Sequence, residues 1–360
     1  MTNPHAWNLS DLDGMPKNGV KVMSTFACGG GSSMGYKRAG CEVIAANDID
    51  PEMAWHYKRN IKPKHYFLCP IRDLLTKALP DELFGIDILD GSPPCSTFSM
   101  AGSREKAWGK DKHFREGQAK QVLSDLFFDY LDLVERLKPK VSIAENVKGM
   151  IQGNAKGYVK LVMARYRELG YRPQLFLINA ADCGVPQRRE RVFFCAVRED
   201  VAMSPLILAP RHRWVAAGEA TTDVQNLTDA EQAESDPTDT ALKYWKYTKK
   251  GDSFSNASMK ISGRASFFNW IRLNENQPAP TLPAEHAKIY HWNACRPLSY
   301  REWKRLGSFP DDYHAKSDKI GKYMIGMSVP PKMTEAVARA VCVQWLGVTV
   351  QKQFELVEQS

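Results

Sequence analysis

From Lys21 onward, short β-branched apolar runs alternate with stretches of helical periodicity. KVMSTFA (21–27) predicts a buried strand, followed by a glycine-rich turn and an amphipathic helix to about Gly40. CEVIAAND (41–48) predicts a second strand, and PEMAWHYKRN (51–60) a second helix with proline in its first turn. HYFL is a short third strand and GIDILDG (85–91) a fourth. Apolar residues at i, i+3 and i+4 predict a helix over 121–138, in QVLSDLFFDYLDLVERLK. KVSIAE (140–145) reads as a fifth strand and GYVKLVMARYRELG as a helix capped by Gly170. RPQLFLINA and RERVFFCAVR read as two late strands. This alternation predicts an α/β fold, a mostly parallel Rossmann-like sheet with helices on both faces.

The rhythm fails after about Asp200. Residues 200–280 mix Pro, Gly, aromatic and acidic positions and predict a smaller domain of irregular or β character. Helical rhythm returns in PPKMTEAVARAVCVQWL (330–346). No apolar run approaches the roughly 18 residues of a membrane helix. The N-terminal segment reads as a short polar arm without a signal-peptide core.

Charge adds a hint about partners. The net charge is +8, yet residues 217–240 hold seven acids and no Lys or Arg. The basic excess therefore lies elsewhere, including the basic-aromatic patches RHRW (211–214) and KYWKYTKK (243–250). A basic body with one acidic loop is compatible with nucleic-acid binding; dispersed, solvated lysines account for it equally. The eight cysteines, at 28, 41, 69, 95, 183, 195, 295 and 342, form no C-x-x-C pair, so no metal site is expected. They are expected to be reduced thiols in a cytoplasm.

Three stretches carry chemistry. FACGGGSSMG (26–35) falls at a strand-to-helix turn, where glycines let a ligand approach the backbone. Asp48 ends the second strand and could accept hydrogen bonds from ribose hydroxyls. Together these favour an adenosine-containing cofactor, although a tight turn alone would also use such glycines. In DILDGSPPCSTFSMAG, two prolines deliver Cys95 to the carboxyl edge of the fourth strand, where open α/β sheets place their ligands. Glu145 ends the fifth strand. In PQRRERVFF, Gln187, Arg189 and Arg191 alternate and so share one face of an extended segment. Two guanidiniums near a thiol would favour thiolate.

These motifs, in this order, resemble the cytosine-C5 DNA methyltransferase family of the bacterial and phage type. FACGGGSSMG resembles its first cofactor motif, NDID its ribose-binding acid, GSPPCSTFS its Pro-Cys nucleophile motif, ENV its glutamate motif and PQRRER its Q-x-R-x-R motif. NENQPAPTLPAE, RPLSYREWKRLGSFPDDY and GMSVPP resemble the family's later segments. The resemblance implies an S-adenosylmethionine-dependent methyltransferase sheet over 1–199, a target-recognition domain over 200–310, and a C-terminal segment, 311–360, that returns to the catalytic domain. It implies catalytic roles for Cys95, Glu145, Arg189 and Arg191. For the cofactor it implies Phe26, Cys28, Gly30, Gly31, Asp48, Ile49, Ile71, Ser92, Met327, Ser328 and Val329, with no metal.

The reaction implied is methyl transfer to C5 of a flipped-out cytosine in double-stranded DNA, through a covalent bond from Cys95 to C6. Glu145 would hold a proton against N3, and residues 96–118 would form a closing lid. A cytoplasmic monomer serving restriction–modification or phage DNA protection is expected. The sequence departs from the family at Cys28 (usually glycine), Pro70 (usually an aspartate), Ser96 (usually glutamine) and Met327 (usually asparagine). A donor carrying another group, an RNA substrate and a non-catalytic DNA-binding homologue remain alternatives. A nicotinamide dehydrogenase would leave Cys95 and the Q-x-R-x-R face unexplained.

Overall fold

The computed structural model describes residues 3–94, 111–112, 121–122, 126–153, 155–284 and 288–348. Cys95, Ser96 and nearly all of the expected lid, 96–118, lie outside the described residues. The chain divides into two compact units. One comprises Leu12–Asn179, Glu190–Pro210 and Met333–Ser360; the other comprises Met1–Asp11, Ala180–Arg189 and Arg211–Lys332.

The first unit is built on seven strands: β1 (Lys21–Thr25), β2 (Glu42–Asp48), β3 (His65–Leu68), β4 (Ile88–Gly91), β5 (Val141–Val147), β6 (Tyr171–Asn179) and β7 (Glu190–Arg198). Their order in the sheet is β3-β2-β1-β4-β5-β7-β6. β1 to β5 pair in parallel, whereas β7 runs antiparallel between β5 and β6. The sheet is therefore mostly parallel, with chain reversal confined to one side.

Both faces of β1, β2, β4 and β5 are buried, which is why these strands read as continuous apolar runs rather than alternating ones. Helices α1 (Gly31–Arg38), α2 (Pro51–Asn60), α3 (Leu126–Leu137) and α4 (Ala155–Glu168) complete this unit with the C-terminal helix. Phe127 and Tyr130 of α3 join Leu89 and Phe194 in the main core. The Tyr130 hydroxyl donates to Leu89 O and meets Ser142 Oγ, both at 2.8 Å. α2 starts where expected because Asp50 caps it: its carboxylate accepts from the Glu52 and Met53 N–H groups, with Pro51 at the first helical position.

Two expectations change. The helix expected over 121–138 begins only at Leu126, because Gln121–Val122 pairs antiparallel with Asp111–Lys112. The region read as irregular or β carries several short helices, Asp229–Glu234, Asp239–Trp245 and Phe254–Ser262 among them. Thr228, Thr238 and Ser253 cap these helices with their hydroxyls. Two short parallel strand pairs accompany them: Trp270–Arg272 with Lys288–Tyr290, and Ala279–Pro280 with Gln187–Arg188.

The units cut the chain differently from the spans 1–199, 200–310 and 311–360. The N-terminal arm joins the second unit through the Trp7 indole, which donates to Ser308 O, and the Leu9 N–H, which donates to Asp312. Within that unit three of the seven acids of the acidic segment have arginine partners. Glu219 pairs with Arg213, Asp223 with Arg305, and Glu231 with Arg301.

Candidate active site

In the sheet unit, the residues singled out from the sequence gather at the carboxyl ends of the parallel strands. After β1 the backbone turns sharply: Phe26 and Cys28 have φ of 52° and 43°, and Gly30 has φ of 83°. Glycine suits Gly30 twice over, since a Cβ there would also lie 2.7 Å from the Ile61 side chain. Cys28 holds a left-handed conformation that a non-glycine residue adopts at a cost. Glycine would adopt it without that cost. The Cys28 N–H donates to Asp48 Oδ2 at 2.7 Å.

Asp48 also accepts from the Asp50 N–H, at 2.9 Å through Oδ1. Burial raises its pKa, and the backbone donors of Asp50 and Cys28 oppose that rise. With the Ile49 N–H as a third backbone donor, the carboxylate keeps room for one ligand hydroxyl. The residue is half-buried, so the acceptor left here fits a ribose hydroxyl. Ile49 is half-buried, whereas Ile71 is packed into the core at 2% exposure. Pro70 precedes Ile71 at the start of a short 3-10 helix. It has no N–H and no polar side-chain group to offer an adenine.

β4 ends in Gly91, where a Cβ would collide with the Tyr130 ring and Thr25 Oγ1. Ser92 is half-buried, and Pro93 O accepts from Asn146 Nδ2 at 2.9 Å. Asn146 Oδ1 in turn accepts from the Val147 N–H. The asparagine beside Glu145 thus latches the prolines that lead to Cys95.

Glu145 is 9% exposed and pairs across the sheet with Phe193, while Arg191 pairs with Val147. Residues two apart on a strand share a face, so this register puts Arg191 and Glu145 side by side. Arg191 Nε lies 2.9 Å from Glu145 Oε1. Burial works against the Arg191 charge and the Glu145 carboxylate works for it, leaving its pKa below the usual value.

The second unit holds the remaining candidates. Gln187 donates to Leu306 O and accepts from the Leu282 N–H. Arg189 is 3% exposed and donates to Leu282 O and Gly326 O. Gln187, Arg189 and Arg191 do alternate, but the first two belong to one unit and Arg191 to the other. Met327 is 52% exposed; Ser328 and Val329 are buried. The Ser328 hydroxyl is buried without a partner among the described residues, an orphan that a bound ligand could satisfy. No cluster of three or more metal-ligating side chains occurs among the described residues.

Two features escaped the sequence reading. Asn146 was quoted only as part of ENV. Asp90 is buried on β4 and accepts from Ser24 Oγ and Tyr36 OH; a lone acid inside an apolar strand is the signal that could have found it.

Residues 20–342 match the model of the C-5 cytosine-specific DNA methylase family. The chain is 28% identical to the Type II methyltransferase M.FnuDI of Fusobacterium nucleatum, over 89% of this chain and 94% of that protein. It is 27% identical to the Type II methyltransferase M1.HphI of Haemophilus parahaemolyticus, over 89% and 86%. Among solved structures, a DNA modification methyltransferase from an Escherichia coli prophage superposes with a TM-score of 0.69 at 21% identity, covering 90% of this chain and 99% of that one. A DNMT2 of Spodoptera frugiperda superposes at 0.63 with 15% identity, covering 89% and 99%. The chain belongs to the C-5 cytosine-specific DNA methylase family and is a DNA cytosine-C5 methyltransferase.

Proposed function

We propose that the chain methylates C5 of a flipped-out cytosine in double-stranded DNA, by a covalent route in which Cys95 adds to C6. S-adenosylmethionine, when bound, supplies an electrophilic methyl group. The residues proposed to hold it are Phe26, Cys28, Gly30, Gly31, Asp48, Ile49, Ile71 and Ser92, with the later residues Met327, Ser328 and Val329. The chain's own groups supply the activation. Thiolate addition at C6 turns C5 from an electron-poor centre into an enamine-like nucleophile. A proton held by Glu145 against N3 relieves the charge that develops as sulfur adds. Once C5 is substituted, a base removes its proton and the thiolate is expelled, restoring the aromatic ring. Arg191 orients Glu145 and lies close to where the base carbonyl must come.

The Arg191–Glu145 pair, on the strand whose Asn146 latches Pro93, carries this reading. An ion-paired carboxyl on the strand whose asparagine bonds Pro93 supports a role for Glu145 in that step. The names of the relatives at 27–28% identity support a restriction–modification setting. No helix among the described residues is long and apolar enough to cross a membrane. The proposed setting is a bacterial or phage-infected cytoplasm, with the chain acting as a monomer.

The test is trapping. A duplex carrying 5-fluorocytosine, incubated with S-adenosylmethionine, is expected to give a denaturation-stable protein–DNA adduct that is lost in Cys95→Ser. Absence of an adduct across a library of cytosine-containing sites would count against the covalent route. Intact-mass analysis of ordinary duplex product is expected to show one methyl per modified site, and a heavier group would instead identify a modified donor. Duplex DNA compared with tRNA as acceptor separates the DNA reading from the RNA one.

A further inference from the structure

Two thiols far apart in sequence meet inside the sheet unit. Cys41 directly precedes β2, and Cys342 lies in the last turn of the C-terminal helix, Pro331–Gln344. Their sulfurs are 3.6 Å apart, and both residues are 0% exposed. The Asn18 amide nitrogen, which donates to Ala39 O, also reaches Cys41 Sγ at 3.6 Å and Cys342 Sγ at 3.9 Å.

Bonds that do not involve sulfur hold this contact. Glu335, on the same helix as Cys342, lies 2.6 Å from Arg38 Nε at the end of α1 and 2.8 Å from Arg339 Nη2. Arg339 Nη2 also donates to Arg38 O. On the other side, the Asn18 N–H donates to Gly40 O, and Asn18 Oδ1 accepts from the Val20 N–H. The fold itself thus presents the two cysteines to each other. A disulfide needs about 2.05 Å between sulfurs, which leaves a gap of ~1.5 Å for side-chain torsion to close.

A core that merely packs two thiols needs neither an amide donor between them nor a cation nearby. Here the hydrogen bond from Cys342 holds the Cys41 thiol below its usual pKa. Asn18 and the Arg339 charge act the same way, against burial and the Asp87 charge. That bond and burial push Cys342 far up, so it keeps its proton. Cys41 is therefore the sulfur that ionises first. Access comes through the helix end. Val343 is 50% exposed, and the chain end is fastened there by the Trp345 indole, which donates to Ser204 O, and the Gln344 amide, which donates to Ile207 O. A terminal turn opens at lower free energy than the core it covers, and that opening admits a small oxidant.

We propose that Cys41 and Cys342 form a redox-sensitive pair, which hydrogen peroxide converts to a disulfide that fastens the C-terminal helix to the start of β2. The Cys41 thiolate attacks one peroxide oxygen. An S–O bond forms, the O–O bond breaks, and the leaving hydroxide takes up the proton that Cys41 gave up. The Cys342 sulfur then attacks the Cys41 sulfenic acid. The S–S bond forms, the S–O bond breaks, and hydroxide leaves as water with the Cys342 proton. Two electrons pass from two thiols to one peroxide, which ends as two waters; a dithiol reverses the link. The site stands apart from the methylation chemistry and does not rest on it.

The test is peptide mapping of the full chain. The reduced, folded protein is treated with hydrogen peroxide, blocked by alkylation, digested without reductant and read by mass spectrometry. The expected product is the Cys41 peptide joined to the Cys342 peptide, two hydrogens lighter than their sum and separated by dithiothreitol. In urea the oxidised chain is expected to unfold at higher concentration than the reduced one, because the link joins residues 301 apart. Cys342→Ser should erase that difference, and Cys41→Ala provides the same control should Cys342→Ser not fold. Recovery of both cysteines as alkylated thiols would overturn the proposal, as would a link found only in unfolded chain or between two chains. Equal urea midpoints for the linked and reduced forms would also overturn it, since the link would then fasten nothing.

Discussion

Arg191 and Glu145 form an ion pair, Nε to Oε1 at 2.9 Å, with their side chains 15% and 11% exposed. They lie on antiparallel neighbours, β7 and β5, two residues out of register, which is the spacing that brings both to one face. A pair this buried is held by geometry as well as charge, because each desolvated group depends on the other.

Arg191→Ala strands the Glu145 carboxyl. It is expected to cost about 3 kcal/mol in urea denaturation and to lower kcat at least about 100-fold, since the carboxyl proposed to act at N3 loses its orientation. Arg191→Lys keeps the charge but not the planar fork. It should recover most of the stability and only a small part of kcat. Equal recovery of both would mean that charge alone is needed.

The Asn146 latch makes a sharper separation. Asn146→Ala removes the donor to Pro93 O without placing a new charge. Its cost in stability is expected to be about 1 kcal/mol. Turnover and the rate of 5-fluorocytosine trapping should fall by a much larger factor, because the turn that carries Cys95 is released. An unchanged trapping rate would show that the prolines hold the turn unaided.

Cys28 stands in a left-handed backbone at φ 43°. Cys28→Gly relieves that strain but loses chain stiffness and the sulfur contact with Met53 at 3.7 Å. It is expected to stay within about 1 kcal/mol of the parent. Cys28→Val, β-branched in the same conformation, should cost at least about 1–2 kcal/mol and weaken S-adenosylmethionine binding measured by calorimetry. If valine is tolerated as well as glycine, the turn is softer than its dihedral angle implies.

Where the sequence was legible, the physics was local. The buried strands announced themselves as β-branched runs, and Pro51 after Asp50 marked the start of α2. The places of Glu145 and Arg191 followed from strand ends and alternation. What stayed hidden depends on partners far along the chain. Asp90 passed unremarked in the fourth strand, and only pairing with Ser24 and Ile143 shows it as a buried acid on the Glu145 face. Arg189 read as a second guanidinium for the thiol, and its bonds to the carbonyls of Leu282 and Gly326, more than ninety residues away, could not be read from the motif. The short helices after Asp200 were obscured because Pro, Gly and aromatic residues broke their periodicity. Their Ser and Thr caps, Thr228, Thr238 and Ser253, were the readable signal.

His291 gives a pH dependence whose sign can be worked out. It is 6% exposed, and burial, helped by the Arg296 charge, lowers its pKa to about 4. Its Nδ1 accepts from the N–H groups of Asn293 and Ala294, at 3.1 and 3.3 Å, which a protonated nitrogen cannot do. The unfolded chain takes up this proton near pH 6.5 and the folded chain only near 4. Between those values the unfolded state binds more protons, so the contribution of His291 is fully present above 6.5 and shrinks as pH falls towards 4. Asp90 acts in the opposite sense: its folded pKa, about 7, lies above the carboxylate value of 3.8, so its contribution falls as pH rises through that window. In His291→Asn the amide oxygen can replace Nδ1 as acceptor but cannot titrate. Chemical denaturation of parent and variant from pH 7.5 down to 4 is therefore expected to show the variant gaining on the parent as pH drops, most steeply below 6.5. Parallel curves across that range would mean that some other group governs the acid loss of this unit.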